Sequence, residues 1–138
     1  MRITQKYINE LSYKIIGLAI EVHKHLGPGL LESVYHICMF DEIVKDDDLF
    51  GQSEINVPIQ YKGRNLGSVL KLDILVNDLI ILEFKAVEEM HPIYKAQLLS
   101  YLKLTKKPKG LLINFNCENI SKNIISMVTE EYAKLPKE

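Results

Sequence analysis

Two apolar runs within residues 71–85 constrain the fold of this chain most strongly. The stretch reads KLDILVNDLIILEFK, with Asp73 set in the first run and Glu83 and Lys85 in the second. Apolar strands seldom carry charged side chains inward, because an unpaired buried charge costs several kcal/mol. Glu83 and Lys85 are two residues apart, so on a strand they point to the same face. Together, these three groups are typical of a site that holds a divalent cation beside an ammonium group.

The length of the turn between the two runs decides whether the three groups share a face. A two-residue turn at residues 77–78 would place Asp73 opposite Leu82 and send it to the face away from Glu83. A three-residue turn at residues 77–79 would place Asp73 opposite Glu83. A metal site therefore predicts an odd-length turn or a bulge. A two-residue turn would instead indicate a solvated or paired structural set of charges.

The size and composition of the chain predict one soluble domain. Its 138 residues allow a single domain over residues 1–138, and its 47% hydrophobic and 25% charged residues are ordinary for a globular protein. Because the net charge is −1, any polyanion must be bound by a local basic patch. Cys38 and Cys117 form no CxxC motif, which favours free thiols in a reducing compartment. No apolar run approaches about 18–20 residues and no signal peptide opens the chain, so we expect a cytoplasmic protein with no membrane partner.

The pattern of apolar residues predicts four helices and four strands. Apolar spacings of three and four predict the helices, with a Gly-Pro-Gly stop after the first and a His-Pro start for the third. The helices are predicted over residues 7–25, 30–45, 92–105 and 120–135. Alternating or apolar runs predict the strands over residues 55–61, 66–76, 79–87 and 110–115. The middle two strands form the hairpin and, being apolar on both faces, are expected to lie centrally under helices.

Glu32 lies in the first turn of the second predicted helix, directly after a glycine turn. An acid at this position complements the helix dipole, which is common and contributes a few tenths of a kcal/mol. Alternatively, the helix delivers a third carboxylate to a metal. Composition does not choose between these interpretations.

The third predicted helix offers further candidates. Gln97 and Tyr101 are four residues apart and share a face, so the glutamine is either a support for a carboxylate or phosphate or a solvent-facing amide. Lysines cluster around the end of this helix, either as a phosphate-contacting patch beside the site or as cations favoured at a helix C-terminus. They are Lys103, Lys106, Lys107 and Lys109.

Several of these residues, taken in order, carry a family resemblance. Asp73, the E-F-K of residues 83–85, and Gln97 with Tyr101 resemble the motifs of the PD-(D/E)xK nuclease superfamily. The segment GLLESVY, residues 29–35, matches the Gly-x-x-Glu-x-x-Tyr signature of a small prokaryotic family within it. The resemblance spans nearly the whole chain.

The resemblance implies an α/β fold with a restriction-endonuclease-like core. This core is a central mixed four-stranded sheet flanked by helices, with two helices N-terminal to the sheet. Asp73, Glu83 and Glu32 would be the metal-ligating carboxylates, and Lys85 the lysine of the E-x-K motif. Carboxylate oxygens are the ligands that hard cations such as Mg²⁺ or Mn²⁺ prefer.

The resemblance extends to the third helix. Gln97 and Tyr101 match the Q-x-x-x-Y of the RecB-like branch, in which the glutamine supports the site. Many members have proline before the aspartate, whereas this chain has Leu72. The catalytic set implied is Glu32, Asp73, Glu83, Lys85 and Gln97. The nucleic-acid-binding set is Tyr101, Lys103, Lys106, Lys107 and Lys109.

The function predicted from these residues is a metal-dependent nuclease that hydrolyses phosphodiester bonds, with DNA favoured over RNA. A bound metal would activate water and bind a phosphate oxygen, and Lys85 would stabilise the developing charge. Because no separate DNA-reading domain is predicted, a homodimer or a partner protein would supply grip. Two alternatives stay open: a non-catalytic nucleic-acid-binding or adaptor module on the same fold, and an interaction protein whose charges form a structural ion-pair cluster.

Overall fold

A five-stranded mixed sheet with helices on both faces forms the fold. The computed structural model describes residues 2–138, apart from the side chain of Ser68. The helices are α1 (Gln5–Leu26), α2 (Glu32–Lys45), α3 (Pro92–Thr105) and α4 (Glu130–Ala133), with a 3-10 turn at Ile120–Lys122. The strands are β1 (Gly51–Tyr61), β2 (Arg64–Val76), β3 (Ile80–Lys85), β4 (Lys109–Asn114) and β5 (Ile124–Val128). None of the helices formed by these residues is long and apolar enough to cross a membrane.

The strands lie in the sheet in the order in which they occur in the chain. Neighbours pair antiparallel except β3 and β4, which are parallel. Parallel neighbours need a crossover connection, and α3 supplies it. Because α3 leaves the end of β3 and must return to the start of β4, it runs back along the sheet.

The two faces of the sheet have separate cores. Alternate residues of β3 point to opposite faces, so Ile80, Leu82 and Phe84 pack towards α1 and α2, and Ile81 packs towards α3. The α1 and α2 side also buries Ile15, Tyr35, Met39, Ile113 and Phe115. The α3 side buries Leu72, Leu75, Leu98, Leu102 and Leu112. Glu83 and Lys85 alternate with Phe84 and therefore share the α3 face.

The helix ends follow their local sequence. Thr4 caps α1, with its hydroxyl accepting from the Tyr7 N–H at 3.0 Å, and Gly27 ends the helix with a φ of 68°. His91 caps α3 before Pro92 at the first helical position, and its ring nitrogen accepts from the Ile93 N–H at 3.1 Å. The first three predicted helices are confirmed, with boundaries shifted by a few residues.

The C-terminal prediction and the strand count were wrong. Residues 120–135 form a 3-10 turn, the strand β5 and the short helix α4, and the sheet has five strands where four were predicted. The register pairs Ile124 with Ile113 and Met127 with Gly110. The adjacent Ile125 joins Met127 in the α3-side core, so pairing with β4 and burial outweigh the local helical pattern.

The hairpin of β1 and β2 extends past the rest of the sheet. β2 pairs with β1 from Arg64 to Val76 but with β3 only at its last three residues. Residues 57–70 therefore form a two-stranded ribbon, which we call the β-arm. It leaves the sheet at the end where β3 finishes.

Candidate functional site

The turn between β2 and β3 is three residues long, residues 77–79, which confirms the odd-length turn. Asn77 and Asp78 have φ values of 52° and 58°, in the left-handed region that Asn and Asp tolerate better than other side chains. The Asn77 side chain accepts from the Phe50 N–H at 2.6 Å and donates to the Asp48 carbonyl at 3.1 Å. These bonds hold the turn, and the turn sets the register of the hairpin.

This register places Asp73 opposite Glu83, one step beyond the last backbone pair, Ile74 with Leu82. The backbone ladder gives way here to side-chain hydrogen bonds. The Asp73 N–H donates to Glu83 Oε1 at 3.3 Å, and the Phe84 N–H donates to Asp73 Oδ2 at 2.8 Å. Both carboxylates are therefore fixed by the strands that carry them.

Glu83 is a buried acid, with 8% of its surface exposed. Its pKa is raised to about 8, first by burial, next by the charge of Asp73, and to a smaller extent by a side-chain hydrogen bond with Asp73. The Asp73 N–H and the charge of Lys85 act in the opposite direction. At neutral pH, and with no added cation, Glu83 keeps a proton. The acid pair is thus a place where positive charge is electrostatically favoured.

Helix α3 covers Lys85 and the acid pair. Lys85 Nζ lies 4.4 Å from the ring centroid of Tyr94, close enough for a cation–π interaction. Tyr101 lies near the acids, since burial and then the charges of Glu83 and Asp73 raise its pKa. Gln97 stands between the two tyrosines at helical spacings of three and four, so it shares their face, and it is exposed.

Glu32 is the first residue of α2 and approaches the pair from the other side of the sheet. Burial raises its pKa, the Asp73 charge adds to this effect, and the Lys85 charge opposes it. Of the two interpretations of Glu32, these interactions favour the one in which it belongs to the site.

Tyr35 holds the glycine turn that leads into α2. Its hydroxyl donates to the Gly27 carbonyl at 2.6 Å and accepts from the Leu30 N–H at 3.2 Å. Its ring stacks on Phe115, with centroids 4.6 Å apart and planes inclined by 6°, and Phe115 in turn contacts Phe84. The tyrosine therefore connects the position of the turn before Glu32 to the core beneath the acid pair.

The carboxyl groups of the site match the ligand preferences of a divalent cation. Within residues 2–138, no three His, Cys, Asp or Glu side chains are grouped as a formed metal cluster. Asp73 and Glu83 nevertheless fit a hard cation in chemistry, because they offer carboxyl oxygens on one face, and a cation could take the place of the proton on Glu83. Glu32 as a third ligand stays a prediction.

The lysine cluster after α3 lies away from the acids. Lys109 pairs with Ile80 at the start of β3, whereas Lys85 ends that strand, five residues or about 16 Å along it. Lys107 Nζ pairs with Asp78 of the hairpin turn at 2.8 Å. The sequence left open whether these lysines lie beside the site, and the structure places them away from it, because α3 runs back along the sheet and ends near the start of β4.

Lys109 is also buried, and burial lowers its pKa. Its ammonium lies 3.4 Å from Asn9 Oδ1 of α1. Lys103 and Lys106 stay exposed. Contact of these four lysines with nucleic acid stays a prediction, now for a surface remote from the acid pair.

Three residues near the site were not among the predicted site residues. Tyr94 holds Lys85, and its signal is its spacing of three and seven from Gln97 and Tyr101. Asn114, 2% exposed, bonds both backbone groups of Val87 at 2.9 and 3.1 Å and so fixes the chain just after Lys85. Its signal is a polar residue inside the apolar run GLLINFN. The third, His36, contacts Ser53 Oγ of β1 at 2.8 Å, and its sequence position carries no comparable signal.

A sheet whose central hairpin carries Asp73 opposite Glu83, with Lys85 beside them, is the arrangement that the E-x-K motif requires. The model of the PD-(D/E)XK nuclease superfamily matches residues 9–127, and the chain belongs to this superfamily. Its members are generally phosphodiesterase nucleases and typically use divalent metals. Comparison with curated proteins and with solved structures gives no match.

Proposed function

We propose that this protein is a divalent-metal-dependent nuclease that hydrolyses phosphodiester bonds in DNA. The observation that carries the proposal is the pair Asp73 and Glu83, opposite each other with Lys85 on the same face, in a member of a nuclease superfamily. In a structural ion-pair cluster, both acids would be ionised and paired with the lysine. Here burial and the charge of Asp73 instead raise the pKa of Glu83 to about 8, and Lys85 Nζ lies against the ring of Tyr94.

In this proposal Asp73 and Glu83, with Glu32 as the third carboxylate, hold Mg²⁺ or Mn²⁺. When bound, the cation supplies Lewis acidity and a more acidic water. The Phe84 N–H keeps Asp73 oriented, and the Asp73 N–H does the same for Glu83. Glu83 gives up its proton on binding the cation, because the cation replaces the proton as the source of positive charge.

Lys85 acts electrostatically. Its ammonium is held against the Tyr94 ring, with Nζ 4.4 Å from the ring centroid. From this position it stabilises negative charge that builds on the phosphoryl oxygens in the transition state.

Gln97 supports the site from α3, as the resemblance to the Q-x-x-x-Y motif of the RecB-like branch implies, and Tyr101 contacts the nucleic acid. Assignment to that branch and to the Gly-x-x-Glu-x-x-Tyr family is part of the proposal. A homodimer or a partner protein would add grip, and light scattering with and without DNA measures the oligomeric state.

The test is cleavage of labelled single-stranded and double-stranded DNA and RNA with Mg²⁺, with Mn²⁺ and with EDTA. Asp73→Asn and Glu83→Gln run beside the wild type. Asparagine keeps an oxygen for the Phe84 N–H while removing the charge. Glu10→Gln, an exposed acid of α1, is the matched control.

The expected result is metal-dependent cleavage of DNA, lost in both site variants and retained in the control. Cleavage confined to RNA would contradict the assignment of DNA as the substrate. Equal cleavage by the wild type and the site variants would contradict the assignment of Asp73 and Glu83 to the active site. Binding of nucleic acid that ignores EDTA, with no product under any condition, would support the non-catalytic binding module.

A further inference from the structure

The β-arm is the largest feature of the molecule that the candidate site does not use. Its strands pair with each other, for example Val57 with Leu70 and Tyr61 with Arg64. Within the part of the chain that the structure describes, β3 pairs with β2 only at Ile74–Val76, so the arm has no third strand. A two-stranded ribbon gains little stability by itself, which indicates a surface for contact with a partner.

The arm starts at the acid pair. β2 runs antiparallel to β3, so continuing the register past Asp73 and Glu83 places Lys71 opposite Lys85, the last residue of β3. Everything from Leu70 back to Arg64 therefore projects beyond the site. At about 3.3 Å per residue the tip stands roughly 20–25 Å from the base.

The charge of the arm is opposite to that of the acids. Residues 55–71 contain Lys62, Arg64 and Lys71 and no acidic residue, although the chain as a whole has a net charge of −1. Lys71 pairs with Glu54 at 3.7 Å at the base of the arm. Within residues 2–138 no ion pair engages Lys62 or Arg64. Two exposed cations at the tip are thus available to a polyanion.

An exposed aromatic side chain accompanies these cations. Tyr61 is 58% exposed, and Lys62 Nζ lies 5.3 Å from its ring centroid. Cations that contact phosphates, beside an aromatic ring that contacts a base or sugar, are the combination that nucleic-acid surfaces use.

The shape of the β-arm is suited to the major groove of duplex DNA. The register shifts between Pro58 and Gln60, where residues 66–68 of β2 lie opposite the single residue Ile59 of β1, and Gly67 has a φ of 72°. Bulges increase the twist of a ribbon. The major groove of duplex DNA admits a two-stranded ribbon, whereas the major groove of duplex RNA is too narrow for side chains to read.

We propose that the β-arm is a duplex-DNA-binding element that lies in the groove beside the acid pair, with Lys62 and Arg64 on phosphates and Tyr61 against the nucleotide. This inference deepens the proposed nuclease function by naming how the same site holds its substrate. With this element the chain would hold DNA without help from a second copy or a partner protein. It also places the contact at the acid end of the sheet, away from Lys103 and Lys106.

The experiment measures fluorescence anisotropy of a short labelled DNA duplex with the full chain in EDTA, where metal-dependent cleavage is stopped. Lys62→Ala with Arg64→Ala is compared with Lys6→Ala with Lys45→Ala, a control that removes the same charge from exposed lysines of α1 and α2. Melting temperatures establish that all proteins are folded. The affinity is followed over a series of salt concentrations.

The arm variant is expected to bind at least about tenfold more weakly, and the slope of log affinity against log salt is expected to fall by about 1.8, since each phosphate contact contributes about 0.9. The control is expected to match the wild type. Loss of affinity in the control variant with none in the arm variant would overturn the proposal. So would affinity for an RNA duplex equal to that for DNA.

The outcomes separate this inference from the nuclease proposal. DNA binding that depends on the arm, with no cleavage product in the presence of any metal, would support the role of the arm and contradict the nuclease proposal. Metal-dependent cleavage, with a salt slope that is unchanged in the arm variant, would support the nuclease proposal and contradict the role of the arm. Tyr61→Ala is expected to weaken binding without changing the slope, and Tyr61→Phe is expected to restore it.

Discussion

Asp73 and Glu83 lie opposite each other across the β2–β3 hairpin, and each carboxylate accepts a hydrogen bond from the backbone of the opposite strand. The two side chains take over the strand pairing where the ladder of backbone bonds ends, one step past Ile74 and Leu82. The acids are therefore held by the fold itself. Burial and the charge of Asp73 favour a proton on Glu83, and a bound cation would take the place of that proton.

The first prediction concerns stability against pH. In the unfolded chain Glu83 titrates near its ordinary pKa of 4.5, and in the folded protein near 8. Between these values the folded state holds the extra proton, so the metal-free protein should lose stability as the pH rises from about 4.5 to about 8. The slope should reach at most about 1.4 kcal/mol per pH unit. Urea denaturation in EDTA across this range measures it.

Glu83→Gln should remove this dependence, because glutamine keeps the shape without the titration. Glu10→Gln should retain the wild-type slope, since Glu10 is exposed. If Glu83→Gln showed the same slope as the wild type, the loss of stability would have to come from other groups.

The second prediction concerns metal binding. A cation must displace the proton of Glu83, so its affinity should rise as the pH approaches 8. Mn²⁺ at a fixed concentration should raise the melting temperature more at pH 8 than at pH 6, since a ligand of the folded state stabilises it by mass action. Calorimetry with Asp73→Asn as the comparison measures this. An equal shift in that variant would place the metal elsewhere.

The third prediction concerns Lys85. Lys85→Met should lower the cleavage rate by about a hundredfold or more, the usual effect of removing a group that stabilises transition-state charge. The metal-induced rise in melting temperature should remain. Full metal-dependent cleavage by this variant would contradict the role assigned to Lys85.

Tyr94 should act through Lys85. Replacing Tyr94 by leucine removes a cation–π contact of about 0.5–2 kcal/mol, so the rate should fall by roughly two- to thirtyfold, and phenylalanine should restore most of it. Steady-state kinetics over a range of Mg²⁺ concentrations separates the two variants. A leucine variant as active as the wild type would show that the lysine does not need the ring.

The hairpin could be predicted from the sequence because its two apolar runs flank a short polar break, whereas the length of its turn stayed open between two and three residues. The strand β5 could not be predicted, because adjacent isoleucines such as Ile124 and Ile125 fit a helix as well as a strand until β4 is beside them. The sequence left open whether the lysine cluster lies beside the site. A helix that joins parallel strands must run back along them, so α3 brings Lys107 and Lys109 to the end of the strands opposite Lys85.

The site itself could be predicted in part. The acids and Lys85 were visible as charges in apolar runs, a signal that also marks Asn114. Tyr94 was not visible, because a tyrosine on a helix is more often packing than function. The β-arm could not be predicted, because the sequence pattern indicates a long strand but does not show where the pairing of β2 with β3 ends.

The last prediction concerns Tyr35, whose hydroxyl bonds the turn before Glu32 at both Gly27 and Leu30. Tyr35→Phe keeps the ring stacked on Phe115 but leaves both backbone groups without this partner. The free energy of unfolding should fall by about 1–3 kcal/mol. Cleavage should fall as well at temperatures where the variant is fully folded, because the start of α2 loses its anchor.

Tyr13→Phe is the matched control for this change, because Tyr13 is 83% exposed on α1. Its stability should stay within about 0.5 kcal/mol of the wild type. Urea denaturation and cleavage assays on the same preparations measure both effects. A loss of stability in Tyr35→Phe with undiminished cleavage would mean that Tyr35 secures the turn without positioning Glu32. In that case the tyrosine of the signature would be there for folding, and Glu32 would owe its position to α2 alone.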